Sequence, residues 1–512
     1  MIVDFLSQNL FYSPVTLSVI LSIFVIAWLV IQPLYFGPLS HIPGPWINKI
    51  SSIYLTYYDV RLQRNDKIMQ WHRQYGPVIC ISPGEVSAAT LSATREIYGS
   101  SGRCAKSNYF HHFTAYNEQS IFATLCYKEH REKRKLTSGF YQASMIYKRP
   151  DIEGYTRRCV QKVLQQLRQQ RHSGKYCDIY ALSDWYGFDI ITYLTLGKAH
   201  GTQTIERDCT ERRILRDLKT LQLWGPFRLR FPKAFELLSS CLRYWMPMFT
   251  YLKSDTHLAE WAYNRVSDAA QYSDSQDPCS LFQRLMALTD GSKSTGGGRQ
   301  NYIAAEILDN INAAEATVSV TVAYFFYHLS QEVKWQEEIR KELLKLPPQS
   351  DGLPSFTQLN EAPILEACLN ETYRLYPASS GRAERVVPDE GKFLSGTFVP
   401  ADTIVTTSLT AMHRDKEIFP SPESFLPQRW LNSDPVQREA LERHIIPFGY
   451  GARICLGKPL ATLEIKLLIA GIFLQYRTIP APSCLAESMR QSSTHDAVPW
   501  GLKCELEFHP LI

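Results

Sequence analysis

One cysteine stands in a setting suited to chemistry. Phe448-Gly449-Tyr450-Gly451-Ala452-Arg453-Ile454-Cys455-Leu456-Gly457 leads directly into an apolar pattern with helical spacing. The glycines ahead of the cysteine permit positive φ and close approach of the backbone to a flat ligand. Cys455 falls at the start of the expected helix, where free N–H groups and the positive end of the dipole favour thiolate over thiol. A lone cysteine before a helix is usually just a small buried side chain. Ten successive positions that fit one pattern argue for a ligand instead.

Other pairs have meaningful spacing. Glu371 and Arg374 lie three apart on a predicted helix over Gln358–Tyr376, close enough for carboxylate and guanidinium to pair. The element Phe425-Leu426-Pro427-Gln428-Arg429-Trp430 follows. His130 and Arg134, four apart, share one face of a very polar helical stretch, where a merely solvated charged face is the competing reading. A long helix is predicted over Asn301–Ser330, carrying Ala313-Ala314-Glu315-Ala316-Thr317.

Taken in order, these segments resemble the cytochrome P450 superfamily: its FxxGxRxCxG haem loop, its ExxR pair and its FxPxRW element. Weaker likenesses at Tyr75-Gly76-Pro77, Ile97-Tyr98-Gly99 with Lys106-Ser107, and Met412-His413-Arg414-Asp415 resemble microsomal fungal members. The resemblance implies haem b with Cys455 as axial thiolate ligand, the donor that favours O–O cleavage. It implies that Phe448, Gly449 and Gly457 border the macrocycle and that Arg453 and Arg385 meet a propionate. His130 and Arg134 would hold the other propionate. Arg429 would complete a buried Glu371–Arg374–Arg429 network. Thr317 matches the threonine that helps deliver protons to oxygen.

Two departures stand out. Glu384 precedes Arg385 where the family usually has proline. The acid expected before Thr317 is Ala316, and Glu315 lies one place earlier. At about 100° per residue Glu315 projects roughly 200° from Thr317, so it replaces the acid only if a local bulge re-aims it. Thr317 and Glu315 are the catalytic candidates, and for Glu315 a surface or capping carboxylate is the competing reading.

The elements that must position these residues follow. Val15–Leu34 is uncharged and about 20 residues long, enough to cross the roughly 30 Å of a bilayer core. Only Asp4 is charged before it, which argues against a cleaved signal peptide. Lys49, Arg61, Arg64 and Lys67 downstream place the body on the cytosolic side. Residues 1–40 are read as a membrane anchor and 41–512 as one catalytic domain. That domain is mainly α with small β-sheets, the strands including Val78–Ile81, Gly396–Pro400 and Thr403–Thr406. A polar loop is expected at 291–298. The net charge of +5 has no dense basic block, which excludes a nucleic-acid footprint. Twelve cysteines without a CxxC pair exclude zinc-ribbon and thioredoxin readings.

The expected function is that of a haem-thiolate monooxygenase in the endoplasmic reticulum membrane, single-pass, inserting one oxygen atom of O2 into a lipophilic small molecule of fungal secondary metabolism. The resemblance implies electrons from NADPH through a separate reductase, with a cytochrome b-type donor as a second partner. Alternatives are a non-hydroxylating outcome (desaturation, rearrangement, isomerisation or peroxide use) and a non-catalytic membrane-anchored haem protein. Residues 104–122, the helix near Ala313 and Thr317, and 378–384 are expected to shape the substrate pocket.

Overall fold

The computed structural model describes residues 14–100, 104–172, 174, 176–271, 280–289 and 297–511; Asp4 and most of the loop at 291–298 fall outside them. The helices that carry the argument, in chain order, are α1 Pro14–Ile31, α2 Tyr127–Ser138, α3 Pro150–His172, α4 Ile179–Leu196 and α5 Thr210–Gln222. After them come α6 Ser254–Gln271, α7 Gly297–Gln331, α8 Pro363–Leu375 and α9 Lys458–Gln475.

The expected span is present as α1 continued by a π-helical turn over Gln32–Phe36, where Pro33 lacks the amide that a regular α-turn needs. The apolar stretch Thr16–Phe36 is long enough to cross a membrane and is not buried by the rest of the chain; only its last turn, over Gln32–Phe36, meets the helix at Trp46–Ile50.

Sheets are small, as expected. β1 Val78–Ser82, β2 Glu85–Ala88, β3 Ala105–Lys106, β5 Arg385–Val386 and β8 Ile404–Thr407 form one sheet in the order β1-β2-β8-β5-β3. The β2–β8 pair is parallel, and the other pairs are antiparallel. β4 Cys177–Asp178, β10 Glu505–Pro510 and β9 Tyr476–Pro480 form a second sheet, and β6 Lys392–Leu394 pairs with β7 Thr397–Val399. β5 matters most here, because its register sets Arg385 opposite Lys106 of β3.

α4 is apolar on nearly every side and packs along α7, so both helices sit inside the main core. Gly187 makes that approach close: a Cβ there would lie 3.7 Å from the Glu315 Cα. α9 runs through the same core, starting at Gly457 with Pro459 in its first turn, where a missing N–H costs nothing.

One expectation is corrected. The helix expected over Gln358–Tyr376 is two helices, Phe356–Asn360 and α8. Ser355 and Gln358 form a capping box for the first, and Pro363 forces Ala362 into an extended conformation and restarts the chain as α8.

Candidate active site

The cysteine loop is shaped by its backbone. Gly449 and Gly451 take φ of 77° and 72°. A side chain at Gly451 is impossible, since its Cβ would lie 2.0 Å from the Tyr98 carbonyl oxygen. A short 3₁₀ turn over Gly451–Arg453 follows, and the Cys455 N–H donates to the Phe448 carbonyl at 2.8 Å, which closes the loop. The Phe448 ring meets Tyr373 of α8 edge-on at 5.4 Å.

The Cys455 thiol shows two opposing effects. Burial pushes it up, while the amides of Gly457 and Lys458 and the charges of Arg134 and Lys458 pull it back. The helix start thus acts in the expected direction, but burial outweighs it and the thiol stays above its ordinary range. Cys455 is nevertheless accessible within a dense protein surround, as a group on the wall of an internal chamber would be. Asn312 and Ala313 are likewise exposed midway along the otherwise buried α7, and Thr317 is half-buried. Tyr141 connects the two walls: its hydroxyl donates to Asn310 Oδ1 of α7 at 2.6 Å and it lies in electrostatic range of Cys455.

Cations gather around His130. This histidine, 4% exposed, is held at about 3 by burial and by the charges of Arg453, Arg134, Lys106 and Arg385. Arg453 donates to the carbonyls of Thr124 and Leu125, both at 2.8 Å, and burial with Arg385 nearby lowers it to about 10. Arg134 donates through both terminal nitrogens to the Ile454 carbonyl. Arg385 is buried, bonds only backbone carbonyls of Ala383 and Glu384, and lies over the Tyr98 ring. Lys106 rests between the faces of Phe110 and Phe122 at 3.8 and 4.0 Å. Among the described residues none of these four cations forms an ion pair with a carboxylate. A buried unpaired charge is expensive, so the cluster calls for anions from outside the chain. The two propionates of a haem are such anions, and a cysteine on the chamber wall beside them suits a thiolate ligand. The residues present fit that group.

Helix α2 therefore turns His130 inward instead of presenting a wholly solvated face. Lys106 belongs to the cradle although its chemistry was not singled out in sequence; its pairing with Arg385 appears only once β3 and β5 meet. Glu384, in the place of the usual proline, is occupied: it accepts from Ser107 Oγ at 2.6 Å and meets Arg382 at 3.4 Å.

On α7 the helix stays regular through residues 313–317, with no bulge. Thr317 Oγ1 donates to the Ala313 carbonyl at 2.8 Å, one turn back. Ala316 is buried. Glu315, 5% exposed, is neither a surface nor a capping group: it is buried against α4, where Asp184 faces it. Farther along α7, Asp309 is pushed up to about 6 and Glu306 to about 8, in both cases chiefly by burial. Glu306 accepts from the Ile121 N–H at 2.7 Å, which ties the 104–122 segment to α7. The outer wall is aromatic: Tyr109, Phe113 and Phe122 surround His495, and a Cβ at Gly381 would touch the His495 backbone at 3.0 Å.

Behind the loop lies the expected network. Glu371 and Arg374 are fully buried and paired at 2.8 and 2.9 Å. Arg429 Nε donates to Glu371 Oε1 at 3.1 Å, and Trp430 Nε1 donates to Glu371 Oε2 at 3.0 Å.

Comparison with known proteins agrees with this geometry. The family model described as cytochrome P450 matches residues 43–494. The chain is 39% identical over 498 residues to cytochrome P450 monooxygenase FGM1 of Gibberella zeae, covering 96% of this chain and 97% of that protein. It is 27% identical over 458 residues to tryprostatin B 6-hydroxylase of Aspergillus fumigatus, covering 86% of this chain and 75% of that one. The chain belongs to the cytochrome P450 family. It is a haem-thiolate monooxygenase.

Proposed function

We propose that this chain is anchored in the endoplasmic reticulum by residues 1–40. Its domain 41–512 faces the cytosol and oxidises a lipophilic small molecule of fungal secondary metabolism. Electrons come from NADPH through a separate reductase, with a cytochrome b-type protein as a second donor. The observation that carries the site reading is Cys455 on the chamber wall beside four cations that lack carboxylate partners. Supporting the membrane reading, the 232–253 region exposes Leu237, Tyr244, Trp245 and Met248, and the N-terminal segment exposes Trp46, Ile53 and Tyr57. The helix at 225–230 packs on the helix at 53–60, so these apolar groups extend one surface next to the anchor. The hydroxylase among the relatives supports a secondary-metabolite substrate.

In this reading the Cys455 thiolate would hold the haem iron, with the Gly457 and Lys458 amides turned toward its sulfur. Arg385, Arg453, His130 and Arg134 would hold the propionates, joined by Lys106, while Phe448, Gly449 and Gly457 would border the ring. Haem supplies O2 activation when bound. Thr317 holds a proton at Oγ1 on the chamber side of α7. Glu315 has turned away and Ala316 has no proton to give, so protons reach Thr317 through water.

Turnover tests this reading. Product should form from lipophilic substrates only with NADPH and reductase both present; product independent of both would overturn it. The cradle gives a second measurement. Arg385→Leu removes one charged anchor of about 1.5–3 kcal/mol, so haem should transfer to apomyoglobin about tenfold faster or more. An unchanged transfer rate would remove Arg385 from the cradle.

A further inference from the structure

Glu315 has a partner set that the reaction has not used. Lys219 of α5 and Asp184 of α4 form an ion pair at 2.5 Å, with side chains 6% and 3% exposed. The Lys219 ammonium also lies 3.6 Å from the centre of the Tyr180 ring. Glu315 reaches the same Asp184 from α7. Two carboxyl groups facing each other inside a core resist being ionised together. Burial and Asp184 push the Glu315 carboxyl well above the usual carboxylate range, beside the Lys219–Asp184 ion pair. The cluster is then neutral: one cation, one anion and one acid.

Its purpose is not simple stability. A buried ion pair is readily matched by apolar side chains of the same size. This one also leaves Glu315 Oε1, Asp184 Oδ1 and the Tyr180 hydroxyl without hydrogen-bond partners in the protein. Such a cluster suits a contact that makes and breaks. α5 is the element that would move: it ends where Gln222 donates to Asp496 at 2.8 Å, beside His495 of the aromatic wall, and leads on to the exposed apolar 232–253 region.

We propose that Lys219, Asp184 and Glu315 are positioning residues, an ionic clasp across three helices that holds α5 closed beside the chamber and fixes the α7 turn bearing Thr317. The proposal rests on the chamber reading above. The groups that face Glu315 are Asp184 and Tyr180 from α4, Lys219 from α5 and Asp496 from the C-terminal loop. The closed state holds the Glu315 proton more tightly than an opened, hydrated state does. Raising pH therefore favours opening, because ionised Glu315 sets two anions against one cation.

The test uses full-length, haem-loaded protein in lipid nanodiscs between pH 6.5 and 9. Hydrogen-exchange protection factors over 210–222 report α5 directly, and the association rate of 4-phenylimidazole, read from its Soret shift, reports access to the chamber. In the wild type, protection should fall and association should quicken at least fivefold as pH rises. Glu315→Gln, neutral throughout, should keep the low-pH values. Lys219→Met should show the open behaviour at every pH, and Lys219→Arg should restore closure. Should Lys219→Met not hold haem, the Glu315→Gln comparison still decides. A Glu315→Gln protein that follows the wild-type pH profile, or a Lys219→Met protein as protected as wild type at pH 6.5, overturns the clasp. Exchange is independent of turnover, so neither result depends on the proposed substrate.

Discussion

Cys455→Ser is expected to abolish the red-shifted Soret band of the reduced, CO-treated protein, with NADPH-dependent product lost as well. Cys455→His should give a band at the position of a nitrogen-ligated haem. The effect is large because Cys455 is the one cysteine in this loop, and the loop aims the amides of Gly457 and Lys458 at its sulfur. The electronic push on oxygen depends on a thiolate, which neither serine nor histidine supplies. The cradle cations are untouched by either substitution, so haem should still bind, more weakly. Persistence of the red-shifted band in Cys455→Ser would show that another residue is the ligand.

The cysteine loop was legible because its information is local. Two glycines at positive φ, an arginine, the cysteine and a helix start are fixed within ten residues, and the backbone alone makes the shape. The Glu371–Arg374–Arg429 network was legible for a related reason: an i, i+3 pair and a motif in the right order. The cradle was only partly so. Arg453, Arg385, His130 and Arg134 stand in recognisable motifs, but Lys106 joins them through a two-residue β3–β5 ladder that no periodicity announces. Glu315 shows the sharper limit. Helix arithmetic gives the direction of its side chain, roughly opposite Thr317. It says nothing of what waits there, and Asp184 and Lys219 come from two other helices 131 and 96 positions earlier in the chain. The break before α8 is a different case: Pro363 was in plain view, and its restriction on Ala362 outweighs the apolar spacing that runs through it.

Replacing Glu371 should cost more stability than any other change in that network. Its two oxygens accept from Arg374 twice, Arg429, Trp430 and the Leu426 amide. Glu371→Ala would leave Arg374 fully buried without a counter-charge, a loss of about 3–5 kcal/mol. Every 1.36 kcal/mol is a factor of ten. Haem-loaded protein should therefore inactivate on the order of a hundredfold faster or more at a fixed temperature, or fail to accumulate at all. Arg429→Ala should cost far less, because Glu371 keeps Arg374, Trp430 and the Leu426 amide as partners. The damage should also reach the cysteine loop. Arg374 donates to the His413 carbonyl at 3.1 Å, and His413 Nε2 accepts from the Ile446 N–H at 3.1 Å, two residues before Phe448. Burial holds His413 at about 3, so that acceptor stays unprotonated at any working pH. Loss of Glu371 should thus broaden or shift the CO band in the surviving fraction, where a merely remote destabilisation would leave it unchanged. Equal inactivation rates for Glu371→Ala and Arg429→Ala would show that the network does not centre on this carboxylate.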